Sequence, residues 1–168
     1  MVIKMLNKLS FLKKYKFEFI FGGIALFSIL LDQFLKYLIL HFQPSYKLGI
    51  LFIHLVHNTG AGFGIFQNGA FWLGLVSLCA AMLVLFNYSK IEKKYFPQIV
   101  FGLLLGGIVG NMIDRLLRGA VVDFIDLSFW PAFNIADACI SVSVVLLIIY
   151  YWKKESLEQK DSKIKINK

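Results

Sequence analysis

Charge is scarce in this chain, and what there is lies unevenly. Only 17% of its 168 residues are charged, and 18 basic residues stand against ten acidic ones. With 58% of residues apolar, 17 of them phenylalanine, too little polar surface remains to coat a water-soluble domain of this size. Proline is limited to three residues, so long helices can run with few interruptions. The two cysteines, Cys79 and Cys139, sit inside apolar runs and read as small buried hydrophobes, not as a disulfide or metal site. Nor does the net charge of +8 make a nucleic-acid surface. Every basic residue except Lys36, Lys47, Arg115 and Arg118 falls in one of three blocks: Lys4–Lys16, Lys90–Lys94 and Lys153–Lys168. Each block flanks an apolar run, as topology signals do in a membrane protein.

Four runs are long enough to cross about 30 Å of hydrocarbon as helices, near 17–40, 70–88, 99–116 and 132–152. The first is expected to stay uncleaved, because His41-Phe42-Gln43-Pro44 follows it instead of a small-residue cleavage pattern. The lysine blocks put both termini in the cytoplasm and turn residues 41–69 and 117–131 outward. Residues 49–57 are β-branched and aromatic enough for a strand, and Asn58 to Gly64 supplies turn chemistry. The expected fold is therefore mainly α: one four-helix membrane domain over 1–152, with a small extracytoplasmic β platform at 41–69 between helices 1 and 2. A polar, disordered cytoplasmic tail is expected over 153–168. Pro97 closes the middle basic patch. After it Gly102, Gly106 and Gly110 recur every four residues as a smooth stripe for close helix packing, which Asp114 continues.

The acids are more telling than the apolar runs. Residues 111–137 hold both arginines and Asp114, Asp123, Asp126 and Asp137. With Asp32, these acids gather toward one side of the membrane, where an ionisable residue is costly and by default functional. Two carboxylates held close share a proton; the ionised one can take a proton from water while the protonated one polarises a carbonyl. On that reading Asp137, at the opening of the last helix, is the base, and Asp123 is the protonated partner. Spacing alone leaves a second reading open. Asn134 and Asp137 can be a plain helix cap, Asp123 and Asp126 solvated loop acids, and Asp114 the helix-end partner of Arg115. Asp32 and Lys36, four apart in helix 1, make either a snorkelling ion pair or a polar prop for the site. His54 and His57 read as surface or interfacial residues.

Five segments resemble the lipoprotein signal peptidases (signal peptidase II). Asp32-Gln33-Phe34-Leu35-Lys36 is similar to that family's DQxxK, and Asn58-Thr59-Gly60-Ala61 to its NxGA. Gly110-Asn111-Met112-Ile113-Asp114-Arg115 resembles GNxxDR, Val122-Asp123-Phe124 resembles VxDF, and Phe133-Asn134-Ile135-Ala136-Asp137 resembles FNxAD. The resemblance implies an intramembrane aspartic endopeptidase of the bacterial inner membrane. It would cut prolipoproteins just before a diacylglyceryl-modified cysteine, with no cofactor or metal. It maps the catalytic pair onto Asp123 and Asp137, polar site positions onto Asn58, Asn111, Arg115 and Asn134, and support onto Asp32, Lys36 and Asp114. The implied partners are a lipid-modified prolipoprotein and membrane lipids, with no nucleic acid, and the chain is expected to act as a monomer.

Three rivals remain at this point: an ion-coupled transporter, a metal-dependent hydrolase using Asp123, Asp126 and Asp137 as ligands, and a non-enzymatic assembly factor.

Overall fold

A computed structural model describes residues 13–62 and 65–166. Helix α1 (Lys16–Phe42) ends where Gln43 turns left-handed, its N–H bonding Ile39 O, and Pro44 prevents resumption. A hairpin of β1 (Ser45–Leu48) and β2 (Leu51–Asn58) follows, turned at Gly49, whose φ of +59° suits a residue without Cβ. Then come α2 (Ala70–Phe86), a 3-10 turn (Tyr88–Lys90), α3 (Tyr95–Leu117), β3 (Val121–Asp126) and α4 (Ile135–Ile166).

Helix α3 is the hub. It packs against α1, α2 and α4, while α2 and α4 flank it with little direct contact. The glycine stripe explains how α1 comes so close. A Cβ at Gly102 would lie 2.8 Å from Phe21 O, and one at Gly106 would lie 2.6 Å from Ser28 Cβ. Gly107, on the neighbouring face, admits α4: a Cβ there would meet Ala136 O at 2.5 Å. We expect Gly106→Ala to lower stability by about 1–3 kcal/mol through overpacking. Gly23→Ala, where a Cβ meets nothing within 4 Å, should be neutral or slightly stabilising. Thermal unfolding in detergent reads both, and equal behaviour of the two would show that the stripe is not a contact.

The packing is inside-out. The buried stripe of α1 includes Ser28, Asp32 and Lys36, while Phe27, Leu30 and Phe34 on its other face are more than half exposed. Polar groups inward and apolar groups outward suit a hydrocarbon solvent. Among the described residues three helices, α1, α3 and Ile135–Lys160 of α4, are long and apolar enough to cross a membrane. Helix α2 is apolar but has 17 residues, roughly 25 Å of rise.

Three expectations are corrected. Helix α3 starts at Tyr95, not after Pro97: proline fits a first turn, where its missing N–H would be unpaired anyway. The platform is not confined to 41–69, because β3 completes an antiparallel sheet in the order β1-β2-β3. Gly119, at φ +74° beyond the end of α3, turns the chain into that strand. The tail is not disordered over its described length, since α4 continues to Ile166. With no proline or glycine after Pro131, nothing along α4 breaks the helix.

Candidate active site

Two elements of the site come from the sheet. Asn58 pairs with Val121 and Asp123 with Val56, so Asn58 and Asp123 are diagonal neighbours on one face. Asn58 Oδ1 accepts the Gly60 N–H at 3.0 Å, which leaves its Nδ2 to donate to Asp123 Oδ2 at 3.0 Å. Asp123 is 1% exposed, which removes the solvated-loop reading for this acid.

Asn134 and Asp137 open α4 with reciprocal caps. Asn134 Oδ1 accepts the Asp137 N–H at 2.9 Å, and Asp137 Oδ2 accepts the Asn134 N–H at 3.2 Å. The capping reading is thus correct, but it leaves polar atoms over. Asn134 Nδ2 donates to Asp123 Oδ1 at 2.7 Å and lies 3.1 Å from Asn111 Oδ1. Asp137 Oδ1 accepts from Asn111 Nδ2 at 2.7 Å. One asparagine therefore touches both acids, by side chain on Asp123 and by backbone on Asp137.

Behind this pair lies a buried charge cluster. Lys36 Nζ sits 2.7 Å from Asp32 Oδ2, 2.8 Å from Asp114 Oδ2 and 3.0 Å from Asn111 Oδ1, with all three charged side chains fully buried. Full burial excludes snorkelling and makes Lys36 the centre of an internal ion-pair cluster. Because an ammonium can only donate, it fixes the Asn111 amide with Oδ1 inward and Nδ2 on Asp137. Asp32 Oδ1 accepts the Ala136 N–H at 2.9 Å, satisfying one of the open donors of α4's first turn. Asp114 Oδ2 accepts the Val122 N–H at 3.1 Å, tying α3 to β3.

Asp114 is not the partner of Arg115. Its ion pairs are with Lys36 and Arg118, because successive helix residues point about 100° apart while i,i+4 residues share a face. Arg115 turns instead toward the acids. Its Nη2 reaches Gly60 O at 3.5 Å, and its buried Nε has no hydrogen-bond partner. Gln33 carries structure that motif spacing did not assign: its Nε2 lies within 3.2 Å of Asp32, Gly110 O and Asp114, and its Oε1 accepts from Arg118 at 2.8 Å. The signals available in the sequence were its fixed place in the Asp32–Lys36 segment that resembles DQxxK and its adjacency to Asp32.

Asp123 opens on a cavity of about 330 Å³ shared with Val56, Asn58, Gly60, Gln67, Pro131 and Ala132. Asp137 and Arg115 open on an adjoining one of about 190 Å³, also walled by Asn58, Pro131 and Ala132. Burial, then the nearby negative charge of Asp137, push the Asp123 carboxyl up to about 7. Asp126 lies apart. The Ser128 N–H and then His54, 3.1 Å away, hold its carboxyl below the usual range. Among the described residues no three His, Cys, Asp or Glu side chains gather as a metal cluster.

Comparison with known proteins agrees with this architecture. The family model described as signal peptidase (SPase) II matches residues 24–153. The lipoprotein signal peptidase of Teredinibacter turnerae is 39% identical over 157 residues, covering 85% of this chain and 89% of that protein. That of Thermodesulfovibrio yellowstonii is 39% identical over 153 residues, covering 85% and 99%. A bacterial membrane enzyme solved by the in meso method at 2.3 Å superposes with a TM-score of 0.72 at 33% identity, covering 79% of this chain and 87% of that one. With a family model spanning most of its length and relatives near 40% identity, the chain belongs to the signal peptidase II family.

Proposed function

We propose that this chain is an intramembrane aspartic endopeptidase. It removes the signal peptide of lipid-modified prolipoproteins by cutting on the N-terminal side of the diacylglyceryl cysteine. The observation that carries the reading is the joining of Asp123 and Asp137 through Asn134, with Asp123 buried and Asp137 half-buried beside adjoining cavities. In this reading a water lies between the two carboxylates. Asp137, at the positive end of α4 and accepting two N–H bonds, takes its proton. Asp123, in its protonated form, donates to the scissile carbonyl, and Arg115 offers its unpartnered Nε–H to the substrate backbone. The tetrahedral carbon then collapses, the leaving nitrogen is protonated, and the carboxyls exchange roles.

The chain sits in the bacterial inner membrane as a single copy with four spans. Helix α2 crosses as the shortest, at the lower end of the spanning range. Both termini are cytoplasmic, and the sheet and the acids face outward. The test is a cleavage assay on a precursor with and without its diacylglyceryl group, the products being sequenced by mass spectrometry. A new N-terminus at the lipid-bearing cysteine is expected, insensitive to strong chelators. Cleavage elsewhere, or inhibition by chelators, would refute the assignment.

The pH dependence has a definite sign. The mechanism needs Asp123 protonated, and its carboxyl stands at about 7, so turnover should fall as pH rises through about 7. A pH–rate profile on the lipid-modified precursor that stays level from pH 6 to 9 would remove Asp123 as the proton donor.

A further inference from the structure

At the end of the bundle away from the acids, the helix arrangement leaves a gap. Helices α2 and α4 both lean on α3 without closing on each other, so Phe101 of α3 floors a groove of about 270 Å³. Leu83 and Val84 form one wall and Tyr151 the other, while Asn87 and Lys90 stand at the mouth. The groove lies where the apolar surface stops. Leu83 and Phe86 are more than 60% exposed, Trp152 is 70% exposed on α4, and the lysine block begins four residues beyond Phe86. Aromatic and basic residues in that order mark a hydrocarbon–headgroup boundary.

The charges at the mouth do not cancel. Of the ammonium groups at this end of the bundle, Lys93, Lys94 and Lys154 each pair with a carboxylate. Glu18 takes Lys93 at 2.8 Å, and Glu92 takes Lys94 at 2.8 Å and Lys154 at 2.6 Å. Lys90 meets neither; its Nζ bonds the neutral Asn87 Oδ1 at 2.7 Å. An apolar slot for a chain and an unmatched ammonium beside a neutral amide form a pair of features that a zwitterionic headgroup matches poorly and an anionic phosphodiester matches well. We propose that this groove holds one anionic phospholipid of the cytoplasmic leaflet, its phosphate on Lys90 and Asn87 and an acyl chain along Leu83, Val84 and Phe101. The site is separate from the acids and rests on the membrane reading of the fold, not on the protease reading.

The experiment uses the full chain in mild detergent, equilibrated with dioleoylphosphatidylglycerol or dioleoylphosphatidylcholine and examined by native mass spectrometry. Wild type should retain one phosphatidylglycerol in preference to phosphatidylcholine. Lys90→Gln should cut that preference about fivefold, the worth of one lysine near an anionic headgroup. Val84→Trp should fill the slot and reduce retention of the bound lipid, and Lys47→Gln on the distant hairpin should change nothing. Wild type holding the two lipids equally, or Lys90→Gln leaving the preference intact, would overturn the proposal. So would displacement of the lipid by inorganic phosphate at millimolar concentration, which would make the site one for a free anion. Cleavage activity is not read, so loss of the lipid effect and loss of the protease assignment stay distinguishable.

Discussion

Asp123→Asn should leave a folded protein that cleaves a lipid-modified precursor at least about 10³-fold more slowly than wild type. The same is expected of Asp137→Asn, for a different reason. Asp123 accepts amide N–H bonds on both oxygens, from Asn58 and from Asn134. An asparagine there turns one N–H toward another, at a cost of about 1–3 kcal/mol unless a neighbour rotates. Folding therefore has to be checked beside activity, by thermal unfolding of the purified variant. Asp137 has a second task as a cap, and asparagine retains an oxygen for the Asn134 N–H. Were capping its whole role, Asp137→Asn would keep most of the turnover. Asp126→Asn is the control, because its carboxylate is engaged by His54 and Ser128 outside the pair. Near-normal cleavage by either Asp123→Asn or Asp137→Asn would take that residue out of the mechanism.

The other large effect is expected at Lys36, which touches neither carboxylate of the pair. Lys36→Met removes the ammonium between two fully buried acids and the donor that orients Asn111. Arg118 still partners Asp114, but Asp32 is left without a cation in a site from which water is excluded. Stranding a buried charge in this way costs about 3–5 kcal/mol, enough to threaten a marginally stable fold. The physical cause can be isolated with a double variant. Adding Asp32→Asn removes the stranded charge and should restore much of the lost thermal stability, without restoring full turnover, since Asn111 is still unheld. If the double variant unfolds as easily as Lys36→Met alone, the charge is not what Lys36 balances.

How much of this was legible in the chain differs from residue to residue. Asp32 and Lys36 could be paired because i and i+4 face the same way on any helix, and the glycine stripe could be aimed at a neighbour for the same reason. Adjacency in sequence suggests Arg115 as the partner of Asp114, whereas the helix turns one toward Lys36 and the other toward the cavity. Nothing local marks Val121–Asp126 as a strand, since its ladder partner, β2, lies more than sixty residues upstream and local pattern says nothing of such a pairing. The polar composition of 153–168 reads as disorder, yet no proline or glycine in that stretch interrupts the helix, and α4 runs on to Ile166.

What the sequence determined alone was periodic or compositional: apolar runs long enough to cross hydrocarbon, lysine blocks that flank them, a glycine face, and a set of acids gathered in one short stretch. These follow from one-dimensional spacing, because helix geometry converts spacing directly into faces. Only the tertiary structure decided which acid meets which partner. Asn134 bridging Asp123 to Asp137, and Lys36 closing the buried cluster behind Asn111, join α1, α3, β3 and α4 across as many as a hundred residues. Those contacts exist because the glycine face lets α1 and α4 approach α3 closely enough for short polar side chains to meet, and no local pattern encodes that distance.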